Sequence, residues 1–163
     1  NPLSGRENAC APVVPGGGVN CVLWPPAGGA RDTMRLCDSD IVAALEDVAK
    51  NLGFTDFHAY EYGGSVMNGC KVLEDNPALY FKFPQKKTGG GCIWDFAATT
   101  CIYNEIGAFA TDIQGRPLRL NNPGTCYLNH CGVLFTGIKS VQERIGSLYL
   151  DLQHGKIIQG ISR

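Results

Sequence analysis

The run CGVLFTGI, residues 131–138, constrains the fold most, because it is apolar without alternation and carries no charge. A strand of that kind has no solvent face. It belongs in the middle of a sheet, covered by other layers on both sides. The neighbouring segments supply those layers. In DSDIVAALEDVAKNLGF, apolar residues at 41, 45, 48 and 52 repeat with helical spacing, Asp38 or Ser39 caps the start and Gly53 ends it. GGSVMNGCKVLED opens a second helix behind a Gly-Gly-Ser entrance, and ALYFKF (78–83) is a strand of aromatic and apolar residues. A third helix opens at Asp95 and stops at Gly107, with Ala97, Ala98 and Cys101 expected on its buried side. FATDI is a short strand before a turn at Gln114-Gly115. Ser140-Val141-Gln142-Glu143 reads as a capping box opening the last helix, which Gly155 ends. Helices alternating with buried strands define an α/β class: a layered domain with a mixed, largely parallel sheet flanked by helices. Residues 1–35 form a Pro/Gly-rich lead-in with one possible strand at 19–24, and residues 36–163 form the α/β domain.

Bulk properties narrow the function classes. A hydrophobic fraction of 44% with 18% charged residues describes an ordinary globular chain. A net charge of -1 leaves no basic surface for nucleic acid. No apolar run approaches the ~20 residues of a membrane-spanning helix. The chain opens on Asn1 without a charged-then-apolar leader, which reads as a processed or partial chain. The 8 cysteines include no C-x-x-C pair, and Cys70, Cys101 and Cys131 fall where an apolar residue fits. That pattern favours free thiols in a reducing compartment, cytoplasmic or inside an organelle, with Cys126 and Cys131 the first pair to suspect otherwise.

Most catalytic constellations fail on spacing. Ser65 follows glycines but has Met67 where a nucleophile elbow needs glycine. The Gly triplets at 16–18 and 89–91 lack the Lys-Ser/Thr of a phosphate loop. His58, His130 and His154 share no metal-ligand spacing and read as surface or strand-end residues. Two helix entrances remain. Gly63-Gly64-Ser65 leaves N–H groups open to an anion. Asp95, behind Gly89-Gly90-Gly91 and Trp94, has two readings. It caps its helix and meets the dipole, or it faces a cleft and holds Mg²⁺, a hard cation that takes oxygen ligands.

The segments GGSVMNGCKVLEDNPALYFKF, IWDFAATTCIYNEIGAFATDIQGRPLRLN and YLNHCGVLFTG, followed by the closing helix, carry a family resemblance. From Tyr62 to Gly137 the chain resembles the carboxy-terminal domain of the inositol monophosphatase superfamily. These are Mg²⁺-dependent phosphatases that include 3'(2'),5'-bisphosphate nucleotidases. The resemblance implies that Asp95 is the Mg²⁺ ligand contributed by this half, and that Gly64, Ser65 and Val66 line the pocket for the organic part of a phosphate ester. Lys82 falls where bisphosphate nucleotidases carry a cation near a phosphate, whereas Asn68 agrees with the inositol branch.

One departure qualifies the resemblance. The resemblance places most of the metal site, a glutamate pair and an Asp-Pro-x-Asp-Gly-Thr segment, in an upstream domain, and neither Asp-Gly-Thr nor Asp-Pro-x-Asp occurs in these residues. Asp38 and Asp40 stand in the wrong context. One carboxylate holds Mg²⁺ poorly, because the hydrated ion gives up water reluctantly, and it cannot position two metals ~4 Å apart. The expectation is therefore the carboxy-terminal half of a Mg²⁺-dependent phosphomonoesterase, inactive alone. Its expected partners are a small phosphorylated metabolite, the amino-terminal domain or a second chain bearing it, and a second copy in a homodimer. The alternative is a non-catalytic structural or interaction subunit that retains the fold.

Overall fold

The computed structural model describes residues 18–23, 38–61, 64–75, 77–85 and 91–154. In chain order the elements are β1 (Gly18–Leu23), α1 (Asp38–Asn51), β2 (Asp56–Glu61), α2 (Ser65–Glu74), β3 (Ala78–Lys82), α3 (Ala97–Ile106), β4 (Phe109–Thr111), β5 (Val133–Thr136) and α4 (Lys139–Gln153). A 3-10 turn, Ile93–Asp95, stands just ahead of α3. The strand expected at 19–24 is β1, whereas the rest of the lead-in and Gly155 lie outside the described residues. No helix among the described residues is long and apolar enough to cross a membrane.

The sheet runs β2-β1-β3-β5-β4. β1 pairs parallel with β2 and β3, and β5 pairs antiparallel with both β3 and β4. Four strands therefore share one direction and β5 alone is reversed. The sheet is mixed as expected, but because β5 lies between β3 and β4 its pairings are half parallel and half antiparallel rather than largely parallel. The reversal follows from the connections. Helices α1, α2 and α3 separate the first four strands, whereas β5 follows β4 through the loop 112–132, which contains no helix and lets the chain return antiparallel.

Strand β3 divides the interior into two cores. Its alternation sends Leu79 and Phe81 to one face, where they pack with Leu45 and Val48 of α1 and Ile145, Leu148 and Tyr149 of α4. Ala78 and Tyr80 point to the other face, against Val72 of α2 and Tyr103 of α3. β5 contributes to both, with Leu134 on the first face and Val133 and Phe135 on the second. The result is a helix–sheet–helix sandwich. The expectation that 131–138 is interior holds, because β5 is paired on both sides and all four of its residues are buried.

Two local expectations are corrected. Helix α3 buries Thr99, Thr100 and Tyr103, while Ala98 and Cys101 face solvent with Ile102 and Ile106. Both stripes have helical spacing, so the pattern alone was ambiguous. Aromatic packing decides it: Tyr103 meets Phe135 edge-on at 5.1 Å, and its hydroxyl donates to the Gly69 carbonyl at 2.8 Å. α2 and α3 approach so closely there that a Cβ on Gly69 would lie 2.5 Å from Thr99 Cγ2. The capping box at 140–143 does not form either. α4 starts two residues earlier, its N-cap is Ile138, and no side chain caps it. Thr136 organises this corner instead: its hydroxyl donates to the Ala78 carbonyl at 3.0 Å and accepts the Ile138 N–H at 3.2 Å.

These contacts separate two substitutions, one inside the α2–α3 contact and one on the solvent side of α3. Gly69→Val, which overpacks the α2–α3 contact, should destabilise by about 1–3 kcal/mol. Ala98→Leu, on the solvent side, should stay within about 0.5 kcal/mol. Urea unfolding of both variants checks this, and equal effects would contradict the packing described.

Candidate functional site

The end of β3 and the start of α2 meet on the second face of the sheet. Lys82 continues the side taken by Ala78 and Tyr80, so its side chain emerges beside the α2 entrance rather than toward α1 and α4. There its Nζ donates to Ser65 Oγ at 3.2 Å, and the Tyr80 hydroxyl donates to the same oxygen at 3.2 Å. A serine oxygen has two lone pairs and one proton. Both lone pairs are thus occupied, and the Ser65 hydroxyl is left to act as a donor. The ammonium also sits over the Phe96 ring, 5.6 Å from its centre.

Donors accumulate around Ser65. Gly64, exposed and extended, is the N-cap of α2 and offers no side-chain cap. The first helical hydrogen bond in this turn runs from the Asn68 N–H to the Gly64 carbonyl. The N–H groups of Ser65, Val66 and Met67 therefore point out of the helix start at its positive end. Asn68 is fully buried against the Tyr80 hydroxyl, yet neither its amide nitrogen nor its oxygen makes a hydrogen bond of good geometry. Val66 is half-exposed at the same entrance.

Asp95 approaches from the other helix start. It is not a cap of α3, whose N-cap is Phe96. It closes the 3-10 turn instead: Oδ2 accepts the Cys92 N–H at 2.7 Å while the Cys92 sulfur accepts the Asp95 N–H. The capping reading therefore holds in altered form, one turn earlier. Gly91 precedes this turn at φ 152, and a Cβ there would lie 2.6 Å from the Phe96 ring and 3.7 Å from Lys82 Nζ. Glycine at 91 is thus a packing requirement, while Gly63, Gly89 and Gly90 lie outside the described residues.

Burial shifts the titrating groups. Desolvation pushes Lys82 down to about 8, partly opposed by the negative charge of Asp95. Desolvation also pushes Tyr80 up to about 12, so its hydroxyl stays protonated at neutral pH. Sequence reasoning missed Tyr80, which reads as an apolar strand residue. The signal was its place two residues before Lys82, which puts both on one face.

The donor set suits an anion better than a metal. Among the described residues no group of three or more His, Cys, Asp or Glu could hold a metal ion. Asp95 belongs to no such group among the described residues, and His58, His130 and His154 are all exposed. The residues present therefore do not by themselves fit a bound Mg²⁺.

No family model matches the chain, and no curated protein matches it. Among solved structures it is similar to an inositol monophosphatase II of Staphylococcus aureus bound to inositol monophosphate, at 18% identity and a TM-score of 0.47, over 91% of this chain and 49% of that one. The 2'-AMP-bound form matches at 18% identity and a TM-score of 0.45, over 85% of this chain and 44% of that one. The chain spans less than half the length of these structures. A likeness of this degree assigns no family membership, and the α/β fold rests on the strand pairings described above.

The low-lying Lys82 titration has a direct consequence. Below about pH 8 the ammonium is charged and attracts an anion; above it the charge is lost. Above that value inorganic phosphate is already predominantly the dianion, so its affinity should fall by roughly tenfold per pH unit there, the lysine carrying the dependence. Lys82→Met should flatten that profile, as read by calorimetric titration. A profile that keeps its slope in the variant would refute the assignment.

Proposed function

We propose that this chain is the carboxy-terminal half of a phosphomonoesterase and binds the phosphorylated end of a small ester at the α2 entrance. The observation that supports it is the saturated acceptor capacity of Ser65, which turns the Ser65 hydroxyl, Lys82 and the free N–H groups of α2 into a set of donors. An inositol phosphate and a 3'-phosphoadenosine nucleotide both offer the matching group. Gly64 and Val66 border the space for the organic part, Ser65 and Lys82 hold anionic oxygens, and Asp95 stands close enough for its charge to reach Lys82.

Mg²⁺ belongs to this reading as a cofactor of the completed enzyme. Asp95 would supply one oxygen, and the other ligands would come from an amino-terminal domain or a second chain. No catalytic step is assigned to these residues alone. Trp94, next to Asp95 and 66% exposed, is an apolar side chain that the remainder of such an enzyme would cover. A reducing compartment fits the free thiols among the described residues. The rival reading, a non-catalytic subunit, predicts no phosphate dependence at Ser65.

Two measurements test the proposal. Titration of the chain with inositol monophosphate and with adenosine 3',5'-bisphosphate, followed through the amide signals of residues 65–67, should show saturable binding. Lys82→Ala should weaken it by about tenfold or more, the worth of one charge-assisted hydrogen bond. Absence of any response at these amides would overturn the reading. The second uses Asp95→Asn, whose side-chain oxygen can still accept the Cys92 N–H, so stability should change by no more than about 0.5 kcal/mol. Mg²⁺ binding followed by Trp94 fluorescence should be no tighter than millimolar in the native chain and weaker in the variant. Micromolar saturation would show a carboxylate cluster that this reading lacks.

A further inference from the structure

The turn that carries Asp95 is tied to a distant stretch of chain, and a cysteine stands on each side of the tie. Cys92 pairs antiparallel with Tyr127. The Ile93 N–H donates to the Cys126 carbonyl at 2.7 Å, and the Leu128 N–H donates to the Gly91 carbonyl at 3.1 Å. This short ladder lays the two stretches of backbone side by side, and the Cys126 thiol lies close enough to that of Cys92 to act on its proton affinity. Both are free thiols. Cys131, the partner first suspected for Cys126, is engaged elsewhere: its thiol donates to the Leu128 carbonyl at 3.3 Å and lies 3.4 Å from that of Gly132.

We propose that Cys92 and Cys126 are an oxidisable pair whose disulfide fastens the Asp95 turn to residues 125–128. The two thiols differ in a way that orders the reaction. Cys92 is buried, whereas Cys126 is half-exposed, so a peroxide meets Cys126 first. The Cys126 sulfur attacks one peroxide oxygen, the O–O bond breaks, and a sulfenic acid and one water form. The Cys92 sulfur then attacks the Cys126 sulfur, the S–O bond breaks, and the hydroxyl leaves with the Cys92 proton as a second water. In sum, two thiols lose two hydrogens and two electrons, and one hydrogen peroxide becomes two waters. A dithiol reverses the change by thiol–disulfide exchange.

The geometry gives the bond a local effect. Cys92 Sγ accepts the Asp95 N–H, and the Asp95 carboxylate accepts the Cys92 N–H, so the sulfur that would be cross-linked already holds the turn. The covalent loop from 92 to 126 encloses α3 and β4. Closing so long a loop restricts the unfolded chain and should raise the unfolding temperature of the oxidised form.

The experiment treats the reduced full chain with stoichiometric hydrogen peroxide, alkylates the remaining thiols, and digests without reduction. A cross-linked peptide joining Cys92 to Cys126, lighter by two hydrogens than the separate peptides, should exceed every other pairing by roughly tenfold. Dithiothreitol should abolish it. Cys131→Ser should retain the link, and Cys126→Ser should leave Cys92 open to alkylation. A dominant link from Cys126 to Cys131 or to any other cysteine, or full alkylation of both residues after peroxide, would overturn the proposal. If Cys126→Ser fails to fold, the Cys131→Ser result and the map of the native chain still decide between these outcomes.

Discussion

The pairing of β3 with both β1 and β5 is the constraint on which the rest of the molecule depends. It places a strand with no solvent face at the centre of the sheet, so each of its side chains must find a packed partner on one side or the other. Leu79 and Phe81 bring α1 and α4 to one face; Ala78 and Tyr80 bring α2 and α3 to the other. Register reinforces the division. Tyr80 lies opposite Phe135, and the rings of Tyr80, Phe96 and Tyr103 gather around Phe135 at 6.0, 6.1 and 5.1 Å. A slip of one residue would exchange the two cores wholesale, which is why a strand buried on both faces holds its register firmly.

The same alternation builds the candidate site. Lys82 is the next residue on the Tyr80 face, where the sheet ends and the α2 entrance begins. A long cation there lays its stem along apolar surface and carries its charge to the rim, over Phe96 and against Ser65. Removal from water lowers its proton affinity, and the Asp95 charge partly restores it. Functional polarity is thus an extension of core geometry: the residues that would grip an anion are spaced by the pleat that packs the interior. The two helix starts differ in kind. α2 begins with unfilled donors, whereas the turn before α3 is already closed on itself by Asp95 and Cys92. One start is open to a ligand, and the other holds a carboxylate in place.

Much of this was legible in the residues. Apolar spacing at 41, 45, 48 and 52 identifies α1, the Gly-Gly-Ser entrance locates α2, and the unbroken apolar run at 131–138 announces an interior strand. Helical spacing did not say which side of α3 is buried, because Thr99, Thr100 and Tyr103 repeat as regularly as Ala98, Cys101 and Ile102. The Ser140–Glu143 motif also misled. Thr136, bonded to a carbonyl 58 positions away along the chain, starts α4 earlier than the local pattern does.

What the sequence by itself determined is the kind and order of the elements, since periodicity and punctuation act between residues a few positions apart. Such effects are set by the backbone's own geometry and survive any tertiary arrangement. Only the tertiary structure decided that β5 runs against its neighbours, that Tyr80 and Lys82 both donate to Ser65, and that the Cys126 stretch lies beside Cys92. Those contacts join segments far apart in sequence. Each exists because burying two apolar faces of one strand leaves few ways to stack the helices, and that choice is made by the whole core at once rather than by any stretch of chain.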